Sequence, residues 1–467
     1  MTLPSDGAPN PAWLEAALAY IPQWLGHQMR VSEEPGCAIA VAYHGRIVLE
    51  AAFGHADQPA GVPLTPRHRF RVASHSKSFT AAGILKLREQ GRLKLDDQAG
   101  HHVKGLHPEI ATATLSQLLS HTAGIFRDGL DSGYWAMRKE FANDAELRAD
   151  LALPPAIDAN TRLKYSNHGF GLAGLVIEAI TGEPYNVWTQ REIVDAAGLT
   201  ETTPDVPLPN GAPLAKGHAG KLVLGAHVAF PSDQSTHALA SATGFVSTAA
   251  DLAKWFTNLS PDADHSILSR ESRREITRPQ WADPHSVLTR TYGLGTNSGK
   301  LDGWSWFGHG GGFPGVVTRT AMVPSQGLCV SVLTNVAEGS SPLWLDGALN
   351  ILKRFHDDGV PTAAVADWTG RWWSIWGPTD LVPVGDKVLL ALPGLSNPFQ
   401  KVAELQVTGP DEARIAVASA FGSYNEPVRR VRDAAGEVVR LRIASGTAMP
   451  EAAIRQELQA YVSPAES

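Results

Sequence analysis

Apolar residues recur along this chain in two periods, and the alternation between them outlines its elements. Trp13, Leu14, Ala17, Leu18, Ile21, Trp24 and Leu25 fall at helical spacing behind Asn10 and Pro11, a cap and first-turn pair. Pro22 is expected to kink this helix. Two period-two runs, 37–43 and 46–53, joined at His44-Gly45, predict a β-hairpin. Helical spacing returns over 77–90, where Phe79, Ala82, Ile84, Leu85 and Leu87 precede a stop at Gly91. Further helices are expected over 115–119, 170–181, 249–259 and 340–355. Between the last two, 292–295, 304–307, 316–323 and 328–334 have the alternation and length of strands.

Two stretches, 126–160 and 200–237, lack a clear period and are long enough to serve as walls of a binding site. Residues 356–364 read as a linker. Beyond it Trp368, Trp372, Trp373 and Trp376 crowd together, followed by short alternating runs at 387–392, 402–407, 413–418, 428–431 and 438–443. Five or more short strands with Gly and Asp turns predict a small antiparallel barrel. The expected division is therefore a domain over 1–360 and a barrel over 361–467.

Composition narrows the function classes. The 467 residues are 43% hydrophobic and 19% charged, with a formal charge of −7, which gives no electrostatic case for nucleic acid or an anionic membrane. No apolar run approaches a membrane span, and the N-terminus has no basic segment followed by an apolar one, so the expected location is cytoplasmic. Cys37 and Cys329 both sit in apolar, strand-like runs and read as buried free thiols. His101, His102 and His107 match no standard zinc spacing and read as a surface loop; no metal and no cofactor is expected.

Candidate chemistry begins at Ser74-His-Ser-Lys77. Three residues apart on a helical turn, Ser74 and Lys77 share a face, with Cβ atoms roughly 5–6 Å apart. A hydroxyl needs a base within hydrogen-bond reach, and Lys serves when burial and neighbouring positive charge lower its pKa. The same pair also reads as a helix cap and a solvated lysine. In Tyr165-Ser-Asn167 an extended backbone directs the phenol and the carboxamide to one side, a proton carrier and an amide-binding group. They read alternatively as a buried Tyr and a cap for helix 170–181. The run 308–315 contains the spacing Gly310-x-Gly312-x-x-Gly315, but Pro314 and a β-branched run follow where a dinucleotide-binding helix should begin. A strand whose glycines allow close approach of substrate and leave N–H groups for an oxyanion is the better account, with His309 beside it. His121 reads as a structural histidine bonded to backbone.

Taken in order, Ser74-His-Ser-Lys77, Tyr165-Ser-Asn167 and His309-Gly-Gly311 resemble the three signature elements of the serine β-lactamase and penicillin-binding-protein superfamily, in the branch holding class C β-lactamases, DD-peptidases, D-aminopeptidases and β-lactamase-like esterases. Leu118-Leu-Ser-His-Thr-Ala-Gly124 and Gly244-Phe-Val-Ser-Thr-Ala-Ala-Asp-Leu252 extend the resemblance, which covers about 30–355. It implies an α+β fold: a five-stranded antiparallel sheet flanked by helices, with an all-helical lobe inserted between its first and last strands. The C-terminal module resembles lipocalin-like barrels appended to some of these enzymes, and is expected to cover the cleft or mediate dimerisation.

The resemblance further implies Ser74 as acylated nucleophile, Lys77 as its base, Tyr165 as proton relay and Asn167 as ligand of the substrate amide. His309 is expected to be a further catalytic residue, a donor or electrostatic partner beside the site, Gly311 would line it, and the N–H groups of Ser74 and Gly312 would form the oxyanion hole. His309 stands where β-lactamases carry Lys, and the segment before Tyr165 lacks the Pro-Gly turn of relatives. The expected activity is hydrolysis of a D-amino-acid amide or short peptide through an acyl-enzyme. Alternatives are a carboxylesterase or weak β-lactamase of the same fold, and a catalytically idle self-associating scaffold. The expected partner is a small-molecule or short-peptide substrate, with a homodimer as a further expectation.

Overall fold

A computed structural model of the chain describes residues 9–209, 211–284, 290–419 and 422–462. The chain divides into two compact units: one spans Glu33–Leu345, and the other joins the segment up to Ser32 to the segment from Asp346 onward.

In the first unit, the hairpin Gly36–Tyr43 and Arg46–Asp57 turns at His44 and Gly45, both at positive φ (46° and 80°). Its first strand pairs antiparallel with Leu328–Thr334, near the end of the unit, so that Cys37 faces Thr334. The sheet continues through Val316–Val323 and Trp304–Phe313. These five strands are the expected sheet. Four more widen it to nine: Val62–Pro63 on one edge, and Asn297–Leu301, Thr291–Tyr292 and Trp281–Ala282 on the other. Cys37 and Cys329 are buried free thiols in this sheet, as their apolar surroundings predict.

The helices lie in the chain between the two halves of the sheet. Ser76–Glu89 is buried from Ser76 to Leu85, on every face, because its side chains are packed from several directions. Phe79 stacks on Phe245 and on Trp255, with centroids 4.2 and 4.3 Å away, and Trp255 Nε1 donates to Ser78 Oγ at 2.8 Å. Burying Phe79 contributes roughly 1.5–3 kcal/mol. A helix anchored this firmly holds a polar side chain in its first turn away from water, and Lys77 is such a side chain.

The aperiodic stretches differ from each other. Residues 126–160 carry the turn Gly133–Ala136 and the helix Asp144–Leu151, whereas the described part of 200–237 is irregular up to the turn His237–Leu239. The histidine-rich stretch is not a plain loop. It holds the short helices Ala99–His102 and Pro108–Ala111, and His107 accepts from Glu109 N at 3.4 Å as an N-cap.

The second unit is an eight-stranded antiparallel sheet in sequential order from Gly370–Ser374 to Gly446–Ala448. It nearly closes on itself: Trp373 N donates to Met449 O at 2.7 Å and Met449 N to Trp373 O at 2.9 Å. Trp368, Leu381, Val388, Leu405, Val428 and Leu441 fill it.

The compact units are drawn differently from the expected 1–360 and 361–467. Helix Ala12–Ser32 belongs with the C-terminal sheet: Tyr20 OH donates to Asp380 Oδ2 at 2.9 Å and Trp24 Nε1 to Leu395 O at 3.1 Å. The closing helix Ser341–Asp358 crosses the boundary between units, so no loop marks it. Among the described residues, no helix is long and apolar enough to cross a membrane.

Candidate active site

Ser74 lies in a 3₁₀ turn, Ala73–His75, that runs directly into helix Ser76–Glu89. Ala73 holds φ +45°, a left-handed conformation that non-glycine residues adopt only when their surroundings impose it. Its surroundings do so, because Ala73 and Val72 are fully buried and Val72 N donates to Phe245 O at 2.9 Å. The turn leaves Ser74 partly exposed above buried neighbours.

Lys77 is fully buried, and its Nζ has three neighbours: Asn167 Oδ1 at 2.7 Å, Ala242 O at 2.9 Å and Ser74 Oγ at 3.1 Å. Desolvation pushes its pKa well below that of an ordinary lysine; Asp128 opposes this and Arg127 reinforces it. The ammonium form can donate to all three, Ser74 Oγ included, and the donor count fixes the arrangement of the deprotonated form. Two of the three neighbours, both carbonyl oxygens, can only accept. A neutral amine has two hydrogens for them and one lone pair, which is left facing the serine hydroxyl. Lys77 can therefore receive the Ser74 proton without moving.

Tyr165 OH donates to Ser74 Oγ at 2.8 Å. Burial raises the Tyr165 pKa, so the phenol keeps its proton. Ser166, in extended conformation (φ −140°, ψ 119°), separates Tyr165 from Asn167 and caps helix Asn167–Thr181, its Oγ accepting from Gly169 N at 2.8 Å. The cap is thus Ser166 and not Asn167, which frees the carboxamide for Lys77. Asn167 Nδ2 donates to Asp128 Oδ1 at 2.6 Å.

His309, on strand Trp304–Phe313, is fully committed. Its Nδ1 lies 2.6 Å from Gly310 O, an obligate acceptor, so Nδ1 carries the proton, and Nε2 accepts from Tyr292 OH at 2.9 Å. Burial, reinforced by His75 and Lys77, lowers its pKa well below the usual value and keeps the ring neutral. His309 makes no hydrogen bond to Ser74. Gly311 meets the backbone before the nucleophile: a Cβ there would lie 2.2 Å from Val72 O and 2.6 Å from Thr318 Oγ1. At Gly312 a Cβ would meet nothing within 4 Å, and the residue is exposed.

His121 is structural, as expected: Nδ1 accepts from Ser166 N at 3.1 Å, and the ring packs 4.0 Å from that of Tyr165. The structure adds residues to which the motifs did not point. These are Asp128, the carbonyl of Ala242, and Tyr292, which the sequence marks only as the start of a strand. Among the described residues, no group of three or more His, Cys, Asp or Glu is placed to hold a metal.

A serine flanked by a buried lysine and a tyrosine, at the start of a helix in a fold built on an antiparallel sheet, defines a class of serine hydrolase. The beta-lactamase family model matches residues 22–349, and the chain belongs to that family. Among curated relatives, Protein flp of Staphylococcus aureus (strain COL) is 28% identical over 183 residues, 38% of this chain; the chain spans only 36% of that relative's length. Penicillin-binding protein 4 of Amycolatopsis lactamdurans is 28% identical over 317 residues, covering 64% of this chain and 81% of the relative. Two solved structures share the fold. An octameric penicillin-binding protein homologue from Pyrococcus abyssi has a TM-score of 0.64 at 22% identity, covering 93% of this chain and all (100%) of that one. A D-stereospecific amidohydrolase from Streptomyces sp. has a TM-score of 0.56 at 24% identity, covering 70% and 95%.

Proposed function

We propose that the protein is a serine hydrolase that cleaves D-amino-acid amides or short peptides through an acyl-enzyme on Ser74. The observation that carries this reading is the convergence of Lys77 Nζ (3.1 Å) and Tyr165 OH (2.8 Å) on Ser74 Oγ, with the lysine fully buried. Lys77 takes the hydroxyl proton as Ser74 Oγ attacks the carbonyl carbon, and the N–H groups of Ser74 and Gly312 hold the resulting oxyanion. Tyr165 gives its proton to the leaving nitrogen and is reprotonated by Lys77. The second Asn167 Nδ2 hydrogen is available to a substrate carbonyl. A water, deprotonated by the same pair, then releases the acid and restores Ser74.

The choice of an uncharged acyl donor over a β-lactam rests on His309. A neutral, buried imidazole replaces the ammonium that would grip a substrate carboxylate, which favours acyl donors uncharged at that position and disfavours a β-lactam. The amide over the ester is favoured by the name of the Streptomyces amidohydrolase. A neutral third motif also suits a carboxylesterase, which is the second reading; the filled proton network opposes an idle scaffold. The test compares the p-nitroanilides of D- and L-alanine with p-nitrophenyl butyrate. Faster turnover of the D-anilide than of its L-isomer is the expected result, whereas ester turnover with no anilide cleavage would replace the amidase reading by the esterase.

Self-association and a cytoplasmic location also belong to this proposal. An octameric homologue of the same fold supports the first, and two buried free thiols, which need no oxidising compartment, are consistent with the second. The solution mass of the full chain tests the expected dimer.

A further inference from the structure

Asn167 presents two chemically opposite faces. Its Oδ1 accepts from Lys77 Nζ at 2.7 Å and its Nδ2 donates to Asp128 Oδ1 at 2.6 Å. A carboxamide turned over would set Nδ2 against the lysine nitrogen and Oδ1 against a carboxylate, donor on donor and acceptor on acceptor. Asp128 is what makes the two orientations unequal. Its own place is fixed, because Oδ1 also accepts from Trp135 Nε1 at 2.9 Å and Oδ2 from Arg127 Nε at 3.0 Å.

We propose that Asp128 is a positioning residue for acylation, holding the Asn167 carboxamide with its oxygen toward Lys77 so that the lysine lone pair is left facing Ser74. This rests on the reading of Ser74 and Lys77 as nucleophile and base. The placement matters because, among the described residues, Lys77 has two acceptors other than Ser74, Asn167 Oδ1 and Ala242 O. If the carboxamide turns, the amine loses one acceptor, and a hydrogen replaces the lone pair on the side of the serine.

Asp128 also supplies charge. The titratable and charged groups facing Lys77 are His121, His309, Tyr165, Arg127 and Asp128. Burial keeps the two imidazoles and the phenol neutral, so Asp128 and Arg127 are the charges that remain. The Asp128 carboxylate stabilises the ammonium form of Lys77, and removing it makes the amine easier to deprotonate. A purely structural residue would not shift this titration.

The two functions separate in two variants. In Asp128→Asn the side-chain oxygen can keep both inward bonds, to Asn167 and Trp135, with its amide nitrogen facing the exposed Arg127. Asp128→Ala removes acceptor and charge together. The measurement is the second-order rate of labelling by a fluorophosphonate against pH, for the full chain and both variants, with thermal melts to verify folding. In both variants the ascending limb should move to lower pH. The plateau should fall about tenfold in Asp128→Ala, the scale of one lost charge-assisted hydrogen bond, and stay within about threefold of wild type in Asp128→Asn. An unmoved limb in Asp128→Asn, equal plateau losses in the two variants, or a folded Asp128→Ala with the wild-type profile would overturn the proposal. An unlabelled wild type would instead remove the nucleophile reading on which it stands.

Discussion

The Tyr292 hydroxyl donates to His309 Nε2 at 2.9 Å, and this bond, with the one from Nδ1 to Gly310 O, leaves the imidazole no free nitrogen. Replacing Tyr292 by Phe keeps the ring and strands a buried acceptor. The expected cost is about 1–3 kcal/mol of stability, the desolvation penalty of one unpaired group, read as a lower denaturant midpoint with unchanged slope. A variant as stable as wild type would show that Nε2 is satisfied in another way.

The pH dependence of acylation follows from Lys77. Its folded pKa lies well below that of an ordinary lysine, and only the deprotonated amine can take the serine proton. The labelling rate should therefore rise with pH through that lowered value and level off well before the ordinary lysine range near 10.5. In Lys77→Arg the guanidinium stays protonated throughout, and labelling should fall at least about a hundredfold. A limb centred near 10.5 in the wild-type profile would mean that the amine is not desolvated in solution.

Much of this site was legible in the sequence because its parts are short motifs with fixed chemistry. Ser74, Lys77, Tyr165 and Asn167 come together in one hydrogen-bonded set although ninety-one residues separate Tyr165 from Ser74. Asp128 carried no such signal. It lies in an aperiodic stretch, and its role depends on where that stretch passes Asn167. The Ala242 contribution is a backbone carbonyl, which no side-chain pattern reveals. The fold shows the same division. The five long strands had readable alternation, and the strand expected at 292–295 pairs as Thr291–Tyr292, but Val62–Pro63 and Trp281–Ala282 are two residues each, too short for a period to register. The periodicity of helix Ala12–Ser32 announced a buried face and said nothing of its partner, which is the C-terminal sheet.

Gly311, the last residue of the third motif, and its neighbour Gly312 make opposite predictions. Ala at 311 would bring a methyl group to 2.2 Å from Val72 O and force strand and nucleophile turn apart. The expected result is a loss of about 1–3 kcal/mol in stability together with most of the activity. Ala at 312 meets no atom within 4 Å and should leave the melting temperature unchanged. Equal melting temperatures for the two variants would contradict the close approach at Gly311.

Within the second unit, Trp24→Ala removes a fully buried indole and the bond to Leu395 O. A loss of about 3–5 kcal/mol is expected for that unit. Fluorophosphonate labelling of Ser74, which lies in the other compact unit, should survive wherever the first unit remains folded, and limited proteolysis would locate the loosened segment.

The central claim is that Ser74 is the acylated nucleophile. Its most direct test is the intact mass of wild type and Ser74→Ala after incubation with a fluorophosphonate and with a fluorescent penicillin. The account predicts one fluorophosphonate adduct on wild type, none on Ser74→Ala, and weaker or transient penicillin labelling. An adduct that persists in Ser74→Ala, or a wild type unmodified by either probe, would contradict it.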